Sequence, residues 1–258
     1  MRSQGKLLFS VVGQPAIWIP ALLLVAATAF FRLTDADLAL SNWFFAGHDL
    51  SGNLEMEWPN RTTQPWSALY DWGVYPAWVL GCGGLVAWVV SFFWGRLRLW
   101  RDPGLFLGLM LIIGPGVIVN GVFKPYWGRP RPYNTIPFGG DREFLPIFQK
   151  GWDDDYASFP CGHASMGFYL MAPAFVFYRR RPRLAAAFLC LGLIAGFTIG
   201  TARIVEGSHF ASDVIWAGGF VYFTGLALSA LFRLNTEEPS CLGGKICSDP
   251  LQKSRSSS

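Results

Sequence analysis

The chain has 258 residues, of which 52% are hydrophobic and only 15% are charged, whereas about a quarter of the residues in a soluble domain are charged. This composition argues against an ordinary soluble domain and indicates that much of the surface faces lipid. The 21 basic residues outnumber the 17 acidic ones, but they lie at the ends of apolar segments and not on one polar face. We therefore expect no nucleic-acid partner.

Six segments contain no Asp, Glu, Lys or Arg and are long enough to cross a bilayer as a helix, which takes about 20 residues. In chain order these segments are 11–31, 72–95, 103–123, 156–178, 184–202 and 214–232. The sequence thus predicts an all-α fold, an integral membrane bundle of six transmembrane helices that spans residues 1–235. The polar, Ser-rich residues 236–258 are predicted to form a disordered cytoplasmic tail.

The basic residues define the orientation of the predicted bundle. Thirteen of the 21 precede the first segment or follow the second, fourth and sixth, so the positive-inside rule places that side and both termini in the cytoplasm. A cleaved signal peptide is the alternative for the first segment, because Arg2 and Lys6 precede it and Ala27-Thr28-Ala29 resembles a cleavage site. A retained span is favoured, since the apolar run exceeds the usual length of about 7 to 15 residues.

The five cysteines indicate no disulfide framework. Cys82 and Cys190 fall inside predicted spans, and Cys241 and Cys247 lie in the tail that we place in the cytoplasm. Disulfides are rare in that reducing compartment.

Three clusters of polar residues lie at membrane boundaries on the predicted non-cytoplasmic side. They are Lys124 with Arg131-Pro132, the segment Pro160-Cys161-Gly162-His163, and Arg203 with His209 and Asp213. Each cluster alone has an ordinary structural explanation, such as anchoring at lipid headgroups or a structural ion pair. Because an antiparallel bundle brings the same-side ends of its helices together, we expect the three clusters to converge.

The first chemical expectation from these clusters is an anion pocket. Lys124, Arg131 and Arg203 supply three cations that can hold a phosphate through charge-assisted hydrogen bonds. Gly162, next to the predicted start of a helix, allows a backbone N–H to approach the same oxygens.

The second expectation is a histidine nucleophile. His209 and Asp213 are four residues apart, so on a helix beginning near His209 they would share a face, and the carboxylate would hold one ring nitrogen. The other nitrogen would then be free to attack phosphorus. His163, from another helix, could protonate the departing oxygen.

In chain order, the three clusters resemble the three-part signature of the type 2 phosphatidic acid phosphatase (PAP2) superfamily. The matching patterns are Lys124-x6-Arg131-Pro132, Pro160-Cys161-Gly162-His163 and Ala202-Arg203-x5-His209-x3-Asp213. The resemblance covers residues 124–213 directly. It implies a phosphohistidine on His209, protonation of the leaving group by His163, orientation of His209 by Asp213, and phosphate binding by the three cations. It implies neither a metal nor another cofactor.

The chain departs from the family pattern at two positions. Ala202 replaces a serine before the arginine, which is harmless to the chemistry, and Cys161 stands where the family usually has serine. A thiol is a weaker hydrogen-bond donor than a hydroxyl. A cysteine-phosphatase mechanism on Cys161 would need an arginine six positions later, where the chain has Gly167.

These expectations favour a membrane lipid phosphatase that removes a phosphate monoester or pyrophosphate from a lipid on the periplasmic side of a bacterial inner membrane. Candidate substrates are lipid A, polyprenyl (pyro)phosphate and phosphatidylglycerol phosphate. A lipid-to-lipid phosphotransferase of the same superfamily is an alternative, because nothing in the motifs separates water from a lipid acceptor. A vanadium haloperoxidase is disfavoured because those relatives are soluble. A transporter is a minor alternative, since it would place ionisable residues near the bilayer midplane. The sequence identifies no protein partner.

Overall fold

The computed structural model of the protein describes residues 15–47, 57–151, 156–232 and 234. Within these residues the regular structure is helical, and the β-type pairing consists of one isolated bridge between Thr135 and Arg142. This agrees with the predicted all-α class. The predicted disordered tail, 236–258, lies outside the described residues.

Ten α-helices are described, some of which follow one another almost without a break. They are α1 (Pro15–Leu33), α2 (Ala36–Asn42), α3 (Trp66–Trp72), α4 (Tyr75–Val90), α5 (Arg101–Leu111), α6 (Lys124–Trp127), α7 (Gly162–Tyr169), α8 (Ala172–Phe177), α9 (Pro182–Val205) and α10 (Ala211–Leu231). A π-helix, Ile112–Phe123, joins α5 to α6, and 3₁₀ turns occupy Gly95–Trp100, Pro132–Asn134 and Ile136–Phe138. The wide π-helix ends where the first polar cluster begins, as such segments often do near functional sites.

Five helical stretches of the described chain are long and apolar enough to cross a membrane. They are Pro15–Leu33, Trp66–Val90, Gly95–Asn134, Pro182–Val205 and Ala211–Leu231. Many of their large apolar side chains are exposed, for example Leu23 and Val79, as expected of a surface that faces lipid. The protein is therefore an integral membrane protein, although its helix boundaries differ from the predicted segments.

The predicted fourth span, 156–178, is not one long helix. It consists of α7 and α8, separated at Leu170 and Met171, whose N–H groups bond three residues back, to Gly167 and Phe168. Pro173 explains the break, because a proline lacks the N–H that would bond to Tyr169 and its ring clashes with that carbonyl. Apolar composition alone did not reveal this interruption, so the predicted count of six spans is not confirmed.

A glycine stripe on α9 brings that helix close to α7. Gly192 and Gly196 are four residues apart, and a Cβ on Gly192 would lie 2.4 Å from the backbone N of Met171. A Cβ on Gly196 would lie 2.3 Å from the Phe168 ring. Small residues at this spacing allow membrane helices to pack closely. The packing sets the start of α7 at a fixed position relative to the end of α9, where the third polar cluster begins.

Candidate active site

The loops that carry the three polar clusters meet at one end of the bundle, where three main-chain hydrogen bonds tie them together. These bonds run from Ser158 N to Arg129 O (3.0 Å), from Cys161 N to Asp213 O (3.2 Å) and from Tyr133 N to Gly207 O (3.2 Å). Each bond joins a different pair of clusters. The relative positions of the clusters are thus set by backbone contacts and not only by their side chains.

His209 is 1% exposed and lies just before α10. Its Nδ1 is 2.6 Å from the carbonyl oxygen of Ser158 and 3.6 Å from Oδ2 of Asp213. Because a carbonyl only accepts hydrogen bonds, Nδ1 carries the proton and Nε2 keeps its lone pair. Burial lowers the pKa of His209 to about 3, so the ring is neutral at neutral pH.

This geometry corrects the expected role of the helix. Helix α10 begins at Ala211, after an extended Phe210 (φ −82°, ψ 159°), so His209 and Asp213 do not share a helical face. The pair is still close, but the nearer partner of Nδ1 is the Ser158 carbonyl. A main-chain acceptor of this kind leaves no pattern in the sequence.

The carboxylate of Asp213 is fully buried and surrounded by donors. Its Oδ2 accepts hydrogen bonds from the Ser158 hydroxyl (2.7 Å) and from Phe210 N (2.9 Å), and its Oδ1 accepts one from Nη1 of Arg129 (2.5 Å). Three donors stabilise the ionised form. Asp213 is therefore a fixed negative charge beside His209.

Arg129 extends this arrangement to a second carboxylate. Its buried guanidinium donates from Nη2 to Oδ2 of Asp37 (2.9 Å), from Nη1 to the Ser212 hydroxyl (2.8 Å) and from Nε to Leu145 O (2.9 Å). Burial raises the pKa of Asp37, and the charge of Arg129 opposes that rise. Sequence reasoning assigned no role to Asp37 or Arg129. The sequence feature that could have drawn attention to Arg129 is its position in the Pro-rich stretch Arg129-Pro130-Arg131-Pro132.

Lys124 is the first residue of α6, and its side chain reaches the N-terminus of α7. A Cβ built on Gly162 would be 3.4 Å from Nζ of Lys124 and 2.5 Å from Oδ1 of Asn120. The absence of a side chain at position 162 therefore leaves room for these two polar groups beside the first turn of the helix. A helix N-terminus and an ammonium group together favour an anion at this point.

Arg203 is 6% exposed and forms an ion pair with Glu206. Its guanidinium carbon lies 4.5 Å from the centre of the Tyr70 ring. Tyr70 in turn stacks on His163, with ring centres 4.8 Å apart and an angle of 26° between the planes. Tyr70 therefore contacts both Arg203 and His163, and its stacking restrains the plane of the imidazole. Sequence reasoning missed Tyr70, which lies far upstream on α3.

Three buried polar atoms near Arg203 have no hydrogen-bond partner among the described residues. They are Nε of Arg203, Oε1 of Glu206 and Oγ of Ser208. Unsatisfied buried polar atoms are uncommon and costly. All three lie within residues 203–208 at the end of α9, where a polar ligand would satisfy them.

Arg131 lies at the edge of the site. Its Nη1 donates to the hydroxyl of Tyr133 (3.2 Å), and the side chain lines a cavity of about 220 Å³. The other residues of the cavity wall are Tyr133, Asn134, Tyr156 and Ala157. The walls are mostly polar, so this cavity suits a hydrophilic group better than an acyl chain.

Cys161 is fully buried just before α7, outside the five candidate spans. Burial raises the pKa of its thiol to about 11. As for metal binding, the described residues contain no group of three His, Cys, Asp or Glu side chains that could hold an ion. The described side chains of the site supply an imidazole, a carboxylate and cations.

Comparison with known proteins identifies the class of protein to which this geometry belongs. The model of the PAP2 superfamily matches residues 103–237, just over half of the chain. The chain therefore belongs to the PAP2 superfamily, as the three motifs predicted. No solved structure gives a significant match.

Among individual relatives, the chain is similar to three lipid A 4'-phosphatases. It is 41% identical over 139 residues to the one from Francisella tularensis subsp. novicida, a region covering 54% of this chain and 62% of the relative. It is 34% identical over 120 residues to the one from Rhizobium leguminosarum, covering 45% and 50%, and 32% identical over 120 residues to the one from Rhizobium etli, covering 45% and 45%. The matched regions thus span about three-fifths of the first relative and about half of the other two.

Proposed function

We propose that the protein is a membrane lipid phosphatase that hydrolyses a phosphate monoester on a lipid through a phosphohistidine on His209. The observation that carries the proposal is the state of His209. A neutral imidazole with Nδ1 bound to the Ser158 carbonyl presents an unprotonated Nε2 as nucleophile. The three cations of the first and third clusters, Lys124, Arg131 and Arg203, supply the matching phosphate site.

In the first step, the lone pair of Nε2 forms the bond to phosphorus while the bond from phosphorus to the lipid oxygen breaks. Lys124, Arg131 and Arg203 hold the phosphate oxygens and stabilise their charge in the transition state. His163, protonated when the anionic phosphate is bound beside it, gives its proton to the departing oxygen and becomes neutral. The stacking of His163 on Tyr70 supports this role, because it keeps the ring in one plane.

In the second step, water attacks the phosphohistidine. His163, now neutral, takes a proton from this water, and the N–P bond breaks to return His209 to its neutral form. Asp213 stabilises the positive ring that exists between the two steps. No step requires a metal or another cofactor.

We place the site at the periplasmic face of a bacterial inner membrane, with both termini in the cytoplasm. The distribution of basic residues supports this orientation. The five long helical stretches and the interrupted segment α7–α8 together form the membrane core. In this arrangement, the start of α7 meets a headgroup phosphate in the plane of the outer leaflet.

Lipid A is the leading substrate candidate, because the three relatives are lipid A 4'-phosphatases. The polar cavity beside Arg131 supports a hydrophilic headgroup on the substrate. Polyprenyl (pyro)phosphate and phosphatidylglycerol phosphate are the alternatives. A phosphotransferase would use the same first step, with a lipid acceptor in place of water in the second.

The test is phosphate release from purified lipids by the protein in detergent, with mass spectrometry of the lipid product. Wild-type protein is expected to release free phosphate from lipid A without a second lipid, and His209→Ala and His163→Ala are expected to release none. Quenched wild-type reactions should contain an acid-labile, base-stable phosphoenzyme, which His209→Ala should lack. Near-normal phosphate release by a folded His209→Ala protein would rule out the covalent mechanism.

A further inference from the structure

A buried row of charges connects helix α2 to the proposed nucleophile. Asp37 and Asp213 both contact the guanidinium of Arg129, at 2.9 Å and 2.5 Å. The three side chains are at most 1% exposed. Asp213 then faces His209, so the row runs from Asp37 through Arg129 and Asp213 to His209.

The groups around Asp37 favour its ionised form and oppose the burial that raises its pKa. It accepts hydrogen bonds from Nη2 of Arg129, from Ser212 N to its Oδ1 (3.0 Å), and from the Ser212 hydroxyl to its Oδ2 (2.6 Å). All three contacts donate to the carboxylate, and none requires a proton on it. Donors of this kind favour the ionised form of a buried acid.

The charges in the row decide what Asp213 can do for His209. Arg129 alone would neutralise Asp213, and a neutral pair stabilises a nearby cation poorly. With Asp37 also ionised, the group of three side chains carries a net charge of −1. Interactions between buried charges are strong, because little water lies between them to screen them.

From this arrangement we infer that Asp37 is a positioning residue for catalysis, which offsets the charge of Arg129 and so leaves Asp213 able to stabilise a positive His209 ring. The inference rests on the proposed function, in which His209 becomes a cation when Nε2 bonds to phosphorus. Asp37 itself does not touch the substrate. It lies outside the region matched by the family model, residues 103–237, so the role is not part of the recognised motifs.

The two half-reactions separate this role from a purely structural one. Formation of the phosphohistidine creates positive charge on the ring, whereas its hydrolysis removes that charge. Loss of the Asp37 charge should therefore slow formation and leave hydrolysis unchanged or faster. Distortion of the site would slow both steps.

The variant to compare is Asp37→Asn, which keeps the shape of the side chain and removes its charge. We expect a fall in kcat of about tenfold to a hundredfold, which is the scale of a nearby buried charge acting on a transition state. The KM should stay within about twofold, because the three phosphate-binding cations lie outside the row. Rapid-quench measurement of the phosphoenzyme should locate the loss in its formation.

Ser41→Ala is the matched control. Ser41 is also on α2 and fully buried, and its hydroxyl has no hydrogen-bond partner among the described residues. This variant should keep both half-reaction rates. A loss of activity in Ser41→Ala equal to that in Asp37→Asn would show that any disturbance of α2 is enough, and would overturn the inference.

A second variant covers the case in which Asp37→Asn does not fold. The double variant Asp37→Asn with Arg129→Gln removes both opposite charges and leaves no new unpaired charge in the interior. Because Asp213 then keeps its net charge, phosphoenzyme formation should stay within about tenfold of wild type. Loss of both half-reactions in the folded double variant would contradict the inference.

The wild-type protein keeps this test separate from that of the proposed function. Absence of a phosphoenzyme in wild type would reject the His209 mechanism itself. A phosphoenzyme that forms equally fast in wild type and in folded Asp37→Asn would reject only the role of Asp37.

Discussion

Replacement of Cys161 by serine tests whether the sulfur is chemically active. Burial raises the pKa of the thiol to about 11, so only about one molecule in ten thousand would carry a thiolate at pH 7. A nucleophile needs the thiolate, whereas a packing group beside the phosphate does not. We therefore expect Cys161→Ser to keep wild-type activity or exceed it, since a hydroxyl is the better hydrogen-bond donor.

The variant Cys161→Ala measures how much the thiol contributes to activity through its contact with the phosphate. Removal of one weak hydrogen bond is worth at most about 1 kcal/mol, so kcat/KM should fall by about twofold to fivefold. Both variants can be assayed by phosphate release, with His209→Ala as the inactive reference and thermal unfolding as the check on folding. Bulky thiol reagents should inhibit wild type only by blocking access to the site.

The result that would refute this reasoning is a folded Cys161→Ser protein as inactive as His209→Ala. The sulfur would then be the nucleophile, and the assignment of His209 would fall.

Three further predictions concern metal ions, the anion site and helix packing. Phosphatase activity should survive EDTA, and vanadate should inhibit it as a mimic of five-coordinate phosphorus. Loss of activity in EDTA that a divalent ion restores would contradict the proposed metal-independent mechanism. Glu206→Gln should bind vanadate about threefold to tenfold more tightly than wild type, because the Glu206 carboxylate competes with the anion for Arg203. This difference in affinity should narrow as the pH falls and Glu206 of wild type becomes protonated, since burial raises its pKa. Equal inhibition of both proteins at every pH would refute the competition. Gly196→Val should lower the free energy of unfolding by about 1–3 kcal/mol, whereas Gly83→Ala, with open space at its Cβ position, should be neutral in the same denaturation assay.

The helical fold could be predicted from the sequence because long uncharged segments have few alternatives in a membrane. The predicted 184–202 lies inside α9, and the predicted 214–232 overlaps α10 in all but its last residue. The interruption between α7 and α8 was missed, since Pro173 is as apolar as its neighbours and adds no charge to mark a boundary. Local backbone geometry, not hydropathy, determined the outcome there.

The site residues likewise fall into those that the sequence identified and those that it missed. Residues that belong to spaced motifs, such as Lys124 and His163, were identified from the sequence, although their catalytic roles stay predictions. Asp37, Tyr70 and Ser158 were missed because their contacts depend on tertiary packing; Asp37, for example, is 92 residues from Arg129. A carboxylate in a short amphipathic segment gives no sign that it will be buried against an arginine.

The hydrogen bond from His209 to a peptide carbonyl makes the tautomer robust to mutation. Any residue at position 158 supplies the same carbonyl oxygen, so no side-chain replacement there can remove the acceptor itself. What can remove it is movement of the main chain, and Ser158 N is fastened to Arg129 O at 3.0 Å. The reactive nitrogen of His209, the nucleophile that we propose, is consequently defined only when the segment before α7 has docked. In an unassembled or partly unfolded protein, this histidine would have no defined reactive nitrogen.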